Sequence, residues 1–367
     1  MDRRAFLVSS MVTATRARAR SSSISYLKDA ALSRGLRFGS TIGQHNFEDP
    51  AYRALIAREC TQVVCETEMK WVALRPDARS YDFAKADRIA NWAREAGLGL
   101  RGHTLLWQSE QWMPDWTRHY DYGPQPAQEA ARIVREHVHT VAARYAPMVN
   151  SFDVVNEAID PETGQLRETT LSKPLGAAQV LDLAFRTARQ AAPRAQLVYN
   201  DYMSWTADDG KHRDAVLRLL EGMKSRGVPI DALGIQSHLG SKYSDTPTGL
   251  GSVDERAWRR FLDEVTGMGL DLLVTEMDVH DNPLPSMISV RDAQVAAHTR
   301  RYLDLMLSYK QLKTIMCWGL SDKYSWLNGF RPRPDGLPKR PLPFDAEFRP
   351  KPMRDAIAAA MLVAPRR

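Results

Sequence analysis

Two acids in this chain stand where acids are costly. Glu157 closes the apolar run "SFDVVNE", and Glu276 lies late in the run "DLLVTEMDV". Buried carboxylates are expensive unless they are paired, hydrogen-bonded or kept neutral, and a chain that gathers several in one place generally uses them. Asn156 sits directly before Glu157. Other polar residues end similar runs: Glu66 and Glu68, His103 with Trp107, Asn200 with Tyr202, Gln236 with His238, Asp278, and Trp318. Two carboxylates facing each other over a cleft suit glycosidic bond cleavage, in which one protonates the leaving oxygen and the other attacks or activates water. Metal-assisted hydrolysis is the competing chemistry, with His103, His238, Glu157 and Glu276 as the available ligands. The tryptophans argue for sugar. Trp71, Trp107, Trp112, Trp116, Trp318 and Trp326 fall in strand-end and loop segments, and an indole stacks on the C–H face of a sugar while its N–H stays free for a hydroxyl. For Trp71 and Trp116, plain packing is an equal alternative.

Residues so far apart in the chain need a scaffold that gathers strand ends. Eight short apolar runs begin at Leu36, Gln62, Gly99, Ser151, Gln196, Ala232, Asp271 and Leu312. Between them lie segments with helical spacing of apolar residues: Gln128 to Tyr145, Ala178 to Ala191, Asp209 to Ser225, Asp254 to Met268 and Asp292 to Tyr309, with a closing helix after Pro352. This alternation predicts a single-domain (β/α)₈ TIM barrel, whose strands are covered on both faces and so read as near-continuous apolar runs. In that fold the active site lies at the C-terminal ends of the strands, where all the polar residues above converge. Runs four and seven set Glu157 and Glu276 across the barrel mouth.

The chain of 367 residues carries 44% hydrophobic and 26% charged residues, ordinary values for a globular protein with a large core. Its net charge of +6 is concentrated at the start, where residues 1–20 hold five Arg and one Asp. The body is nearly neutral, which disfavours a nucleic-acid partner. Arg3 and Arg4 followed by Phe6 and Leu7, a short apolar stretch and the triplet Ala17-Arg18-Ala19 resemble a twin-arginine export signal; a disordered basic tail is the alternative. Residues 1–20 are therefore set apart from a catalytic domain over 25–365, and an exported protein, periplasmic or extracellular, is expected. No window is apolar enough for a membrane span. Cys60, Cys65 and Cys317 make an odd count without a C-x-x-C pair, and read as small buried hydrophobes.

The segments "ETEMKW", "RGHTLLW", "FDVVNEAID", "YNDY", "GIQSHL", "TEMDV" and "WGLSDKYSW", in this order, closely resemble the glycoside hydrolase family 10 endo-1,4-β-xylanases, from about Leu36 to the C-terminus. The resemblance implies a retaining double displacement on β-1,4-linked xylan; a monomer is expected, and the sequence gives no reason to invoke a cofactor or a metal. It makes Glu157 the general acid/base and Glu276 the nucleophile. Asn156 would hold the sugar 2-hydroxyl, and His238 would bond Glu276 with Gln236 alongside. Lys70, His103 and Trp107, with Glu66 in the same patch, would bind the sugar on the non-reducing side, and Trp318 and Trp326 would form roof and wall. Asn200, Tyr202, Asp278 and Asp153 read as supports. Two residues depart from the family pattern: Thr67, where Asn is usual, and Gln108, where His is usual, at the head of a loop "QSEQWMPDW" that is longer than usual. A β-1,4-glucanase or mixed-linkage glycanase is the alternative enzyme, and a non-catalytic carbohydrate-binding barrel the remote one.

Overall fold

The computed structural model describes residues 26–240, 250–282, 284–330 and 332–367; the proposed export signal lies outside them. Eight parallel strands close into a barrel. They are β1 (Arg37–Ile42), β2 (Gln62–Cys65), β3 (Gly99–Trp107), β4 (Val149–Asn156), β5 (Gln196–Asp201), β6 (Ala232–Ile235), β7 (Asp271–Val279) and β8 (Leu312–Cys317). Each pairs with its sequence neighbours, and β1 pairs with β8 to close the ring. The expected (β/α)₈ barrel is thus the observed fold.

Helices alternate with strands as the apolar spacing requires, including Pro126–Tyr145, Ala177–Ala191, Gly210–Ser225, Glu255–Gly267, Ile288–Met306 and Pro352–Val363. Their limits are set by local chemistry. Asp49 caps the helix Pro50–Glu59 by accepting the Ala51 and Tyr52 N–H groups, and Asp254 accepts from Ala257 at the start of Glu255–Gly267. Pro126 and Pro352 occupy first-turn positions, where a missing N–H costs nothing. Gly269, at φ 78°, turns the chain out of its helix into β7 through a backbone conformation that other residues enter reluctantly.

Alternation along each strand divides the core into two layers. Val63 and Cys65 face the helices within the large cluster that includes Phe38, Phe152, Leu233 and Val274, whereas Val64 joins Met316 and Trp318 in a separate cluster. Close approach inside the ring admits little volume. A Cβ on Gly39 would meet the Gln62 carbonyl oxygen at 2.5 Å and the Met316 Cε at 2.9 Å.

Irregularities in the ladder fall where chemistry was expected. The β7–β8 register slips between Val274 and Met277, and Thr275 and Glu276 lie inside the slip. The β4–β5 register slips between Asp153 and Val155, just before Asn156. Such bulges re-aim side chains near the rim of a barrel. Gly39→Ala is expected to lower stability by about 1–3 kcal/mol, since the contact is with main chain that cannot step aside; a lowered urea midpoint with an unchanged circular dichroism spectrum would show it.

Candidate active site

A cleft of about 620 Å³ opens at the C-terminal ends of the strands. Glu66, Lys70, His103, Trp107, Asn156, Glu157, Gln236, His238, Glu276, Trp318 and Trp326 all line it, so the residues expected to act on or bind substrate meet there.

Glu157 follows β4 directly and adopts φ 54°, a left-handed conformation that a non-glycine residue holds only when its surroundings impose it. Its N–H donates to the Asn200 carbonyl at 2.9 Å. Its carboxylate accepts from Gln236 Nε2 at 2.8 Å, Trp107 Nε1 at 3.0 Å and Asn156 Nδ2 at 3.2 Å. Burial still raises its pKa above the usual 4.5, outweighing the donation from Gln236 and Trp107 and assisted by the charges of Asp201 and Glu276. Asp201 stands behind it, fully buried, with the Tyr199 hydroxyl and His212 Nε2 (3.2 Å) on its oxygens.

Glu276 is held differently. Asn200 Nδ2 donates to its Oε1 at 2.8 Å, and His238 Nε2 lies 3.4 Å from its Oε2. The other ring nitrogen, Nδ1, faces Asp278 at 2.9 Å, and the second oxygen of Asp278 accepts the Trp326 N–H at 2.8 Å. Burial works against a charged imidazole, yet the carboxylates of Asp278 and Glu276 override it and push His238 up to about 10. Both ring nitrogens face carboxylate oxygens, an arrangement that favours the imidazolium with each nitrogen donating. Ser237, at φ 64°, makes the turn that carries His238 off the end of β6 and pairs it beside Asp278.

The amides of Asn200 and Gln236 cross between the two acids. Asn200 supports the Glu157 backbone with its carbonyl and the Glu276 carboxylate with its side chain. Gln236 does the reverse, accepting the Glu276 N–H at 3.0 Å on its carbonyl while its side chain reaches Glu157. Gln236 is thus alongside Glu276, as expected, but its side chain serves the other acid. Thr275 Oγ1 donates to Asn200 Oδ1 at 2.7 Å, which fixes which way that amide points.

On the other wall Arg101 and His103 both bond Asp153, at 2.5 and 3.0 Å, all three buried. Burial alone would raise the Asp153 carboxyl; Arg101 and His103 overcome it and hold it below its ordinary value. His103 Nδ1 is spent on Asp153, and its ring packs edge-on to Trp318 at 5.4 Å. Burial draws the Lys70 ammonium below its usual pKa against the pull of Glu276 and Glu66. Burial likewise raises Glu66, with His45 3.6 Å away and Lys70 opposing it. Among the described residues no group of three or more His, Cys, Asp or Glu side chains is arranged to hold a metal ion.

Trp71 and Trp116 are packing residues. Trp71 is buried and stacked on His137 at 3.9 Å, and Trp116 donates to the Arg75 carbonyl beneath the Arg75 guanidinium. Tyr202, read as a support, instead lies on the cleft wall, because its strand-end position turns it into the mouth. Arg167, His280 and Phe330 also line the cleft and were not anticipated. Arg167 and Phe330 come from loops, where no periodicity marks them, whereas His280 directly follows the run that forms β7, the one available hint. Of the two departures, Thr67 is exposed on the wall and donates its hydroxyl to Glu68 at 3.0 Å. Gln108 is buried and ties the loop after β3 to the Arg167 carbonyl at 3.0 Å.

Comparison with known proteins fits this geometry. The family model described as Glycosyl hydrolase family 10 matches residues 26–360. The chain belongs to that family. Among curated family relatives, endo-1,4-beta-xylanase 3 of Hypocrea jecorina is 32% identical over 327 residues, covering 89% of this chain and 82% of that protein. Endo-1,4-beta-xylanase B of Thermotoga neapolitana is 28% identical, covering 84% and 83%. Native xylanase 10B from Thermotoga maritima superposes with a TM-score of 0.80 at 28% identity, over 92% of this chain and 98% of that one.

Two outcomes follow from the charges. The His238 pKa is raised above its unfolded 6.5, so its stabilising contribution is full below pH 6.5 and is lost as pH climbs through about 10. Melting temperature should fall across that window more steeply in the wild type than in His238→Asn. Gln236 favours the ionised form of Glu157, so Gln236→Ala should raise the Glu157 pKa and carry the alkaline limb of kcat/KM to higher pH.

Proposed function

We propose that this family 10 member is a retaining endo-1,4-β-xylanase, in which Glu157 is the general acid/base and Glu276 the nucleophile. The observation that carries the assignment is the unlike treatment of two carboxylates in one cleft. Burial favours the protonated form of Glu157, while an amide and an imidazolium are aimed at Glu276. That division suits one group to delivering a proton and the other to attacking the anomeric carbon.

In the first step Glu276 attacks the anomeric carbon as Glu157 gives its proton to the leaving oxygen. Ester formation removes the charge of Glu276, and the pKa of Glu157 falls. In the second step Glu157 draws a proton from water, which displaces Glu276 with net retention. Asn156 presents its amide beside Glu157 and would meet the 2-hydroxyl of the sugar being cleaved. Lys70, Glu66 and His103 would bind on the non-reducing side, where Trp107 holds Glu157 through its N–H, with Trp318 and Trp326 over the central sugars. The names of the relatives above and a structure of xylanase 10B from Thermotoga petrophila with xylobiose, 28% identical over 92% of this chain, support a xylan substrate.

We infer export from the Arg3–Arg4 signal, and a protein that acts as a monomer. Among the described residues no helix is long and apolar enough to cross a membrane. Fusing residues 1–30 to a reporter that matures only after twin-arginine translocation tests the first inference, and Arg3→Lys with Arg4→Lys should block transport.

Reducing-sugar release from xylan and from carboxymethylcellulose tests the reaction. The wild type should favour xylan, and Glu157→Ala and Glu276→Ala should each lose about 10³-fold or more in kcat. Preference for the cellulose derivative would move the assignment to a glucanase. Azide should rescue Glu157→Ala on an activated aryl xylobioside with a β-azide product; an inverted product from wild-type hydrolysis would falsify the double displacement.

A further inference from the structure

The loop after β3 carries two aromatic residues, and the inner one is fully engaged. Trp112 lies parallel to Trp107, with ring centroids 4.8 Å apart and planes at 14°. Lys70 Nζ sits 4.7 Å from the Trp107 centroid. An indole spread over one face leaves the opposite face for the ammonium, so Trp107 is sandwiched. Its edge is engaged as well, because its N–H donates to Glu157. Trp107 therefore has no open face to offer a sugar.

The open face belongs to Trp112. This residue lines the cleft and is 45% exposed. Its position is fixed. Glu110, at the start of the same turn, accepts the Thr170 N–H at 2.7 Å and the Thr170 hydroxyl at 2.5 Å, and Arg118 Nε bonds Glu110 at 3.2 Å. Met113, next along the chain, is buried. The loop that presents Trp112 is thereby tied to the loop after β4, so that stacking costs little ordering. Gln111 is exposed on the same wall, with donor and acceptor for ring hydroxyls.

We propose that the outer face of Trp112 is an additional sugar-stacking subsite, one full indole removed from the reacting carboxylate, which takes an outlying pyranose of the xylan chain. The inference rests on the xylanase reading and adds a determinant of chain-length preference that the lengthened loop supplies. It assigns the two tryptophans separate work: Trp107 orients Glu157, and Trp112 meets substrate.

Binding of xylohexaose and xylotriose to Glu276→Ala, with and without Trp112→Ala, tests it by calorimetry. Loss of one aromatic stacking surface should weaken xylohexaose about tenfold and xylotriose much less, with Trp112→Phe restoring most of the difference. In the active background, Trp112→Ala should raise KM for xylohexaose relative to an aryl xylobioside. An equal loss for both oligosaccharides, together with an alkaline limb of kcat/KM displaced upward, would mean that Trp112 only braces Trp107, and would overturn the proposal. So would unchanged affinity for xylohexaose. A Glu276→Ala parent that binds no xylohexaose sinks the xylanase reading and the subsite together, whereas the other two results leave that reading standing.

Discussion

Two buried acids share one cleft, and the crossed amides of Asn200 and Gln236 hold them there. Each amide residue supports the backbone of one acid and the carboxylate of the other. Four strands are therefore locked in register by contacts that also fix the separation and orientation of the carboxylates. A cradle of neutral donors suits this task because it satisfies acceptors without adding charge. The ladder slips around Glu276 and before Asn156 are the backbone's side of the same arrangement.

Charge enters from outside that cradle. The pair His238–Asp278 serves Glu276, and Asp201 with His212 stands behind Glu157. The imidazole of His238 adjoins Glu276, whereas Glu157 meets chiefly burial, to which the Asp201 carboxylate adds, so two groups that the amides treat almost alike have unlike surroundings. Trp326 links this layer to the sugar-facing surface by spending its N–H on Asp278, and Trp107 spends its own on Glu157 itself. Their orientation and the charges beneath them are consequently a single structural problem.

Much of this was legible in the sequence, for identifiable reasons. Barrel strands are buried on both faces, so the polar residues that spoil their ends, such as Glu157 in "FDVVNEAID", stand out against an apolar run. The helices announced themselves by spacing and by Asp or Pro at their starts. What could not be read depended on remote partners. Trp71 and Trp116 were indistinguishable from cleft tryptophans until His137 and Arg75 were seen against them. That His238 is carried beside Asp278 depends on the left-handed turn at Ser237, for which serine gives no signal. Arg167, His280 and Phe330 sit on loops whose course is set by packing rather than by any period of their own.

The backbone at Glu157 carries a consequence for how the residue is maintained through time. A left-handed glutamate costs roughly 1–2 kcal/mol that glycine would not incur, and its carboxylate adds a desolvation cost. Selection for stability alone would therefore erase this side chain early in any neutral drift. A glutamate on so unfavourable a backbone bears the imprint of use, and in descendants released from the need to turn over substrate, position 157 should be among the first to decay.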